Sequence, residues 1–116
     1  MTATNQNFTM YAGDHATIRI TVTDSDNGGA AKNIAGATIK WGVYDEEGGI
    51  LILEKTTADA VTITDGLNGI CTVALVPADT STLTPGIYYH EAEVTDADGN
   101  VNTVLTGEYT LNPSRV

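Results

Sequence analysis

The sequence predicts an all-β fold, a small sandwich of antiparallel strands, and three observations carry that expectation. The run from Ile87 to Thr95 alternates in period two, with Tyr88, His90, Ala92 and Val94 on one face and Tyr89, Glu91, Glu93 and Thr95 on the other. The runs His15 to Asp24 and Ala37 to Asp45 repeat the pattern, turning Ile18, Ile20 and Val22, then Ile39, Trp41 and Val43, toward one side. Between such runs lie Asp-Gly, Gly-Gly, Asn-Gly and Pro-Gly pairs, the residues that tight turns need.

Length and composition bound the reading. At 116 residues the chain is one domain, 1–116, with room for one core. An apolar fraction of 41% with 17% charged residues is globular, and the many threonines, valines and isoleucines suit a pleated surface. Fifteen acids against five bases give a formal charge of -10, which argues against nucleic acid and against anionic membranes as partners. No apolar run has the length of a membrane-spanning helix, and the start lacks the basic and apolar regions of a secretory signal, so synthesis in a cytoplasm is expected. The single cysteine, Cys71, rules out an intrachain disulfide and a multi-cysteine zinc site. Strand parity turns it inward with Val73 and Leu75 as a small buried hydrophobe.

In chain order, residues 1–5 read as a flexible arm and Phe8 to Tyr11 as a short strand closed by Ala12-Gly13-Asp14. After the His15 to Asp24 strand comes a polar loop to about Gly36, whose Ala30 to Ile34 segment is too short for a stable helix. The Ala37 to Asp45 strand carries Trp41, placed at the centre of the core against Tyr88 and Val22. Asp45 to Gly49 makes a hairpin into Ile50 to Lys55, where Ile50, Leu51, Ile52 and Leu53 are apolar on both faces. Such a strand calls for a cover on each side, the core on one and a loop or a neighbouring molecule on the other. Val61 to Thr64 and Ile70 to Val76 form a second hairpin around Asp65 to Gly69. Pro77 to Leu83 is the one place for a helical turn, with Pro at its first position, and it carries the chain between sheets. Pro85-Gly86 opens the Ile87 to Thr95 strand, Asp96 to Asn100 turns it, and Val101, Thr103, Leu105, Gly107, Tyr109 and Leu111 share parity on the last strand. Residues 113–116 form a second arm.

Several motifs carry residue types suited to chemistry. Asp24-Ser25-Asp26-Asn27-Gly28 and Asp96-Ala97-Asp98-Gly99-Asn100 hold oxygen ligands suited to calcium, but neither continues to the glutamate of an EF-hand loop, so no metal is expected. With eight strands alternating up and down, Asp14, Asp45, Glu46, Glu47, Asp65, Asp96 and Asp98 would gather at one pole. Glu91 and Glu93 could mimic an acid-base pair, but two carboxylates on a solvated strand face are far more often plain surface. His90 reads as a hydrogen-bonded core histidine. No nucleophile has a base in a recognisable setting, so no catalytic residue and no cofactor are expected.

Seven or eight strands, one crossover and a tryptophan on the third strand are the pattern of an immunoglobulin-like sandwich, without the paired cysteines of antibody domains. Leu83-x-Pro85-Gly86-x-Tyr88 resembles the corner before the sixth strand of such domains, where a tyrosine hydroxyl ties back to the loop. The order Phe8, Gly13-Asp14, Ile18-x-Ile20-x-Val22-Thr23-Asp24, then Ile34-x-Gly36-Ala37-Thr38-Ile39-x-Trp41-x-Val43-x-Asp45, is similar to a family of small tailed-bacteriophage virion proteins. Leu83-x-Pro85-Gly86-x-Tyr88, Val94-Thr95-Asp96-x-Asp98-Gly99 and Leu105-x-Gly107 continue the likeness, which resembles most the immunoglobulin-like N-terminal domain of phage upper baseplate proteins. Unlike those proteins, the chain does not run on into coiled-coil and receptor-proximal regions, so the resemblance extends equally to a capsid decoration protein, a neck component or a tail ornament. It implies a non-enzymatic structural protein located in the virion, bound to other virion proteins and repeated as a homo-oligomer or symmetric array. Candidate partner contacts are Ile50, Leu51, Ile52 and Leu53 along one strand, with the outward tyrosines Tyr44 and Tyr89. The alternative is a carbohydrate- or cell-surface-binding module resting on those tyrosines.

Overall fold

The computed structural model describes residues 6–24, 30–96 and 98–113; the first arm, the end of the second and positions 25–28 of the first calcium motif lie outside them. In chain order the elements are β1 (Phe8–Tyr11), β2 (Ala16–Thr21), β3 (Thr23–Asp24), β4 (Ala30–Ala31), β5 (Thr38–Tyr44), β6 (Leu51–Thr56), β7 (Val61–Asp65), β8 (Ile70–Leu75), α1 (Pro77–Thr80), β9 (Gly86–Thr95) and β10 (Val101–Asn112). One sheet has the order β1-β10-β9-β5-β6 and the other β2-β8-β7, with β3 and β4 as a two-residue ribbon beside them. Eight longer strands in two sheets are the expected all-β, immunoglobulin-like sandwich, and β9, the alternating run Ile87 to Thr95, is the central strand of the larger sheet.

The inward faces meet in one core. Ile39, Trp41 and Val43 of β5, Ile18 and Ile20 of β2, Cys71, Val73 and Leu75 of β8, and Ala92 and Val94 of β9 are all buried. The rings beside Trp41 are those of His90 and Tyr109, at centroid distances of 6.0 and 5.9 Å, rather than that of Tyr88. Tyr88 is used at the corner instead, where its hydroxyl donates to the Thr84 carbonyl and holds the chain as it enters β9. Replacing Tyr88 with phenylalanine removes that bond alone, and the expected loss of about 1 kcal/mol lowers the melting temperature by roughly 3–6 °C. An unchanged melting curve would mean that the corner is held by Pro85 and packing.

The crossover is also built as the residues suggest. Pro77 opens α1, and the Asp79 carboxylate accepts from the Val76 N–H and from the Lys55 ammonium, each at 2.8 Å. Buried Thr80 accepts from the Gly13 N–H at 2.9 Å through its hydroxyl, tying the crossover to the turn after β1.

Three features depart from the sequence reading. β1 pairs with β10 in parallel, Phe8 opposite Tyr109 and Tyr11 opposite Asn112, so one strand pair is not antiparallel. This close pairing requires Gly107, because a Cβ there would lie 2.6 Å from the Gln6 carbonyl carbon. A bulge between Thr103 and Leu105 buries both Val104 and Leu105 and reverses the parity before it, leaving Val101 57% exposed rather than inward. Finally, β6 passes through a short turn at Thr56–Ala60 into β7 of the other sheet without reversing direction.

That last step overturns the single acidic pole. The register sets Tyr44 opposite Tyr89 and Thr38 opposite Thr95, so the Asp45–Glu47 hairpin and the Asp96–Asp98 hairpin cap opposite ends. The Ile34 N–H donates to the Gly66 carbonyl at 2.8 Å, which puts Asp65 at the Asp96 end, together with Asp24. Asp14 stays with Asp45, Glu46 and Glu47. Two moderately acidic ends replace one strong one.

Candidate functional site

The outer face of the five-stranded sheet is the candidate site, and it is built rung by rung. Period two on β5 buries Ile39, Trp41 and Val43 and therefore presents Lys40, Gly42 and Tyr44 outward. Their register partners give three successive rungs, Thr56–Lys40–Glu93, Glu54–Gly42–Glu91 and Leu51–Tyr44–Tyr89. On the first two rungs Lys40 lies 3.9 Å from Glu54 and 3.8 Å from Glu93, an exposed network that solvent screens strongly. Glu91 has no cation paired with it among the described residues.

Gly42 shapes the third rung. A Cβ at this position would meet Leu51 Cδ1 and Tyr44 Cε1, both at 3.2 Å, so the glycine lets those two side chains lie down across the strand. The Tyr44 and Tyr89 rings stand 6.2 Å apart at an angle of 52°. Burial, and after it the Glu91 carboxylate, raises the pKa of both tyrosines, so both hydroxyls stay protonated at neutral pH. Aromatic rings, an aliphatic side chain and a carboxylate thus share one patch.

Next to the patch runs β6, the end strand of the sheet. Ile50 is 70% exposed and Leu51 44%, and Ile52 is exposed as the extra residue of a bulge, so no described part of the chain supplies the outer cover that these residues call for. Leu53 turns inward and packs against the core. The structure therefore brings Tyr44, Tyr89 and Leu51 together, sets Ile50 and Ile52 at the rim, and uses Leu53 to hold the strand. Gly42 did not stand out in the sequence reading, and Glu91 did so only as half of a pair with Glu93. The available signal was an isolated glycine inside a strand pattern, which marks a close approach of other groups.

The remaining candidates are occupied by structural work. His90, 1% exposed, accepts from the Trp41 indole N–H at Nδ1 (3.0 Å) and contacts the Gln6 carbonyl through Nε2 (2.6 Å). Because the indole can only donate, Nδ1 carries the lone pair and Nε2 the proton. Burial lowers the pKa of this imidazole and keeps it neutral. A cleft of about 150 Å³ opens beside it, between Phe8, Ile18, Arg19 and Leu105, but the imidazole is already committed to Gln6. The Asp96 carboxylate accepts from the N–H groups of Asp98 and Asn100, both at 2.9 Å, and so closes its own turn. Among the described residues no three acids, histidines or cysteines group as metal ligands. Burial pushes the pKa of the Cys71 thiol up to about 11, so the thiolate is scarce.

No protein-family model and no curated protein matches the chain. Among solved structures it is similar to CopC from Methylosinus trichosporium OB3b, with 17% identity over 92% of this chain and 84% of that one and a TM-score of 0.45. It is also similar to the ZIG-8 IG1 homodimer, at 14% identity over 97% of this chain and 84% of the other, TM-score 0.43. The third is murine CRIg, at 13% identity over 95% and 93%, TM-score 0.42. The sheet orders β1-β10-β9-β5-β6 and β2-β8-β7 make the chain an all-β domain of immunoglobulin-like architecture.

Proposed function

We propose that this domain is a non-enzymatic structural component of a tailed-phage virion, in the tail or baseplate, the neck or the capsid decoration, working by protein–protein contact. The observation that carries the binding role is the uncovered apolar patch of Leu51, Tyr44 and Tyr89 beside the open strand β6. The virion setting rests on the resemblance in the order and spacing of the strand and corner motifs. A non-catalytic reading is supported by His90, the buried imidazole, having both nitrogens engaged by Trp41 and Gln6. The carbohydrate-binding alternative is less favoured, because rings inclined at 52° make a notch rather than the flat shelf on which a sugar stacks.

Mass spectrometry of purified particles of the phage that encodes the chain is the test. The expected result is the chain at a fixed copy number per particle that matches a rotational symmetry of the head, neck or tail. Its absence from the particles would overturn the virion reading.

A further inference from the structure

We propose that the outer face of the five-stranded sheet docks a basic segment of a different protein, seating an arginine or lysine side chain beside Glu91 and against the Tyr44 and Tyr89 rings. This rests on the reading of the face as a contact surface and adds the chemistry of the partner.

The two outer faces of the sandwich differ in kind. On the three-stranded sheet the outward rungs hold Thr17 with Ala74, and Arg19 with Thr72 and Thr62, and none of its strands exposes a large apolar side chain. On the five-stranded sheet, Leu51, Ile52 and Ile87 are exposed around the tyrosine pair. Apolar exposure and carboxylates are concentrated on one side of the domain.

Charge selects the occupant of that side. Its rungs carry Glu54, Glu91, Glu93 and Glu108 against one cation, Lys40, which Glu54 and Glu93 already share. A second copy would lay an acidic face on an acidic face within a pair of chains each carrying a formal charge of -10. A partner with cations between apolar residues meets no such repulsion. Among the described residues Glu91 and Glu108 are left without a counter-ion, and of the two Glu91 lies close enough to both tyrosines to raise the pKa of each. A guanidinium fits these groups best, since it pairs with a carboxylate through two N–H donors while its plane stacks on an aromatic ring.

The test uses two synthetic decapeptides, one alternating arginine with leucine and one alternating glutamate with leucine, titrated into the isotope-labelled full chain and followed by NMR. The arginine peptide is expected to shift the Tyr44, Tyr89 and Glu91 amides saturably, and the glutamate peptide to leave them in place. Glu91→Gln is expected to weaken the arginine peptide at least fivefold with an unchanged melting temperature. Equal affinity for Glu91→Gln would overturn the proposal, as would shifts confined to the Asp45–Glu47 and Asp96–Asp98 hairpins. So would a dimer in light scattering that Glu91→Gln tightens, since the occupant would then be a second copy. Particle mass spectrometry is independent of this outcome, so a virion protein that ignores the peptide and a peptide binder absent from virions are told apart.

Discussion

Gly69→Ala is expected to destabilise the domain by about 2–5 kcal/mol, a large part of the 5–15 kcal/mol typical of a domain this size. Two costs add. Gly69 sits at φ 72°, and an L-residue held there loses about 1–2 kcal/mol. Its new Cβ would also press on the Val22 carbonyl oxygen and lie 2.7 Å from that of Lys32. Neither is a side chain that can rotate away, because the Val22 N–H donates to the Gly69 carbonyl at 2.8 Å and the Lys32 N–H to the Val22 carbonyl at 3.0 Å. The methyl would therefore prise apart three backbone segments, at a crowding cost of about 1–3 kcal/mol. Gly99→Ala is the control, since Gly99 has φ 86° but nothing within 4 Å of the new Cβ. Urea titrations should show the Gly69 variant losing clearly more than the Gly99 variant; equal losses would assign the whole effect to the dihedral angle.

The second large effect is acid weakening through His90. The folded chain holds the imidazole below its usual pKa of 6.5, chiefly by burial, and the unfolded chain releases it to that value. The unfolded state therefore binds the proton more readily, so the histidine's contribution is complete above pH 6.5. It is lost as pH falls from there toward the lowered folded pKa, by up to about 1.4 kcal/mol per pH unit. A proton on Nδ1 would face the Trp41 indole N–H, donor against donor. Melting temperatures between pH 7.5 and 5 should fall for the native chain and stay nearly level for His90→Gln, which can still accept from Trp41. Parallel curves would locate the acid sensitivity elsewhere.

How far the sequence reveals this molecule depends on the range of the interaction concerned. The central strand was legible because Tyr88, His90, Ala92 and Val94 repeat every second residue, and the corner because Pro85, Gly86 and Tyr88 are close neighbours in the chain. Inward placement of Trp41 and Cys71 follows from the same parity. Parity fails where one residue is inserted into the pairing, as at Val104, and nothing in Asn102-Thr103-Val104 announces the bulge. Loop polarity failed for a related reason. Thr56 to Ala60 looks like any polar turn, yet it passes the chain to the other sheet without reversing it. The candidate face was half visible. Tyr44, Tyr89 and Leu51 were each marked as exposed or doubly apolar, but Gly42 and Glu91 gain meaning only when three strands from different parts of the chain fall into register.

The parallel pairing of β1 with β10 has a mechanical consequence. Because the two strands point the same way, the end where the chain enters β1, opposite Tyr109, and the end where it leaves β10, at Asn112, lie at opposite ends of the short ladder that joins them. Tension between those ends pulls β1 and β10 past each other along their length. The bonds from Gln6 to Thr106 and from Ala12 to Asn112, with the ladder between them, then share the load and must give way together, rather than opening one at a time as in a hairpin peeled from its end.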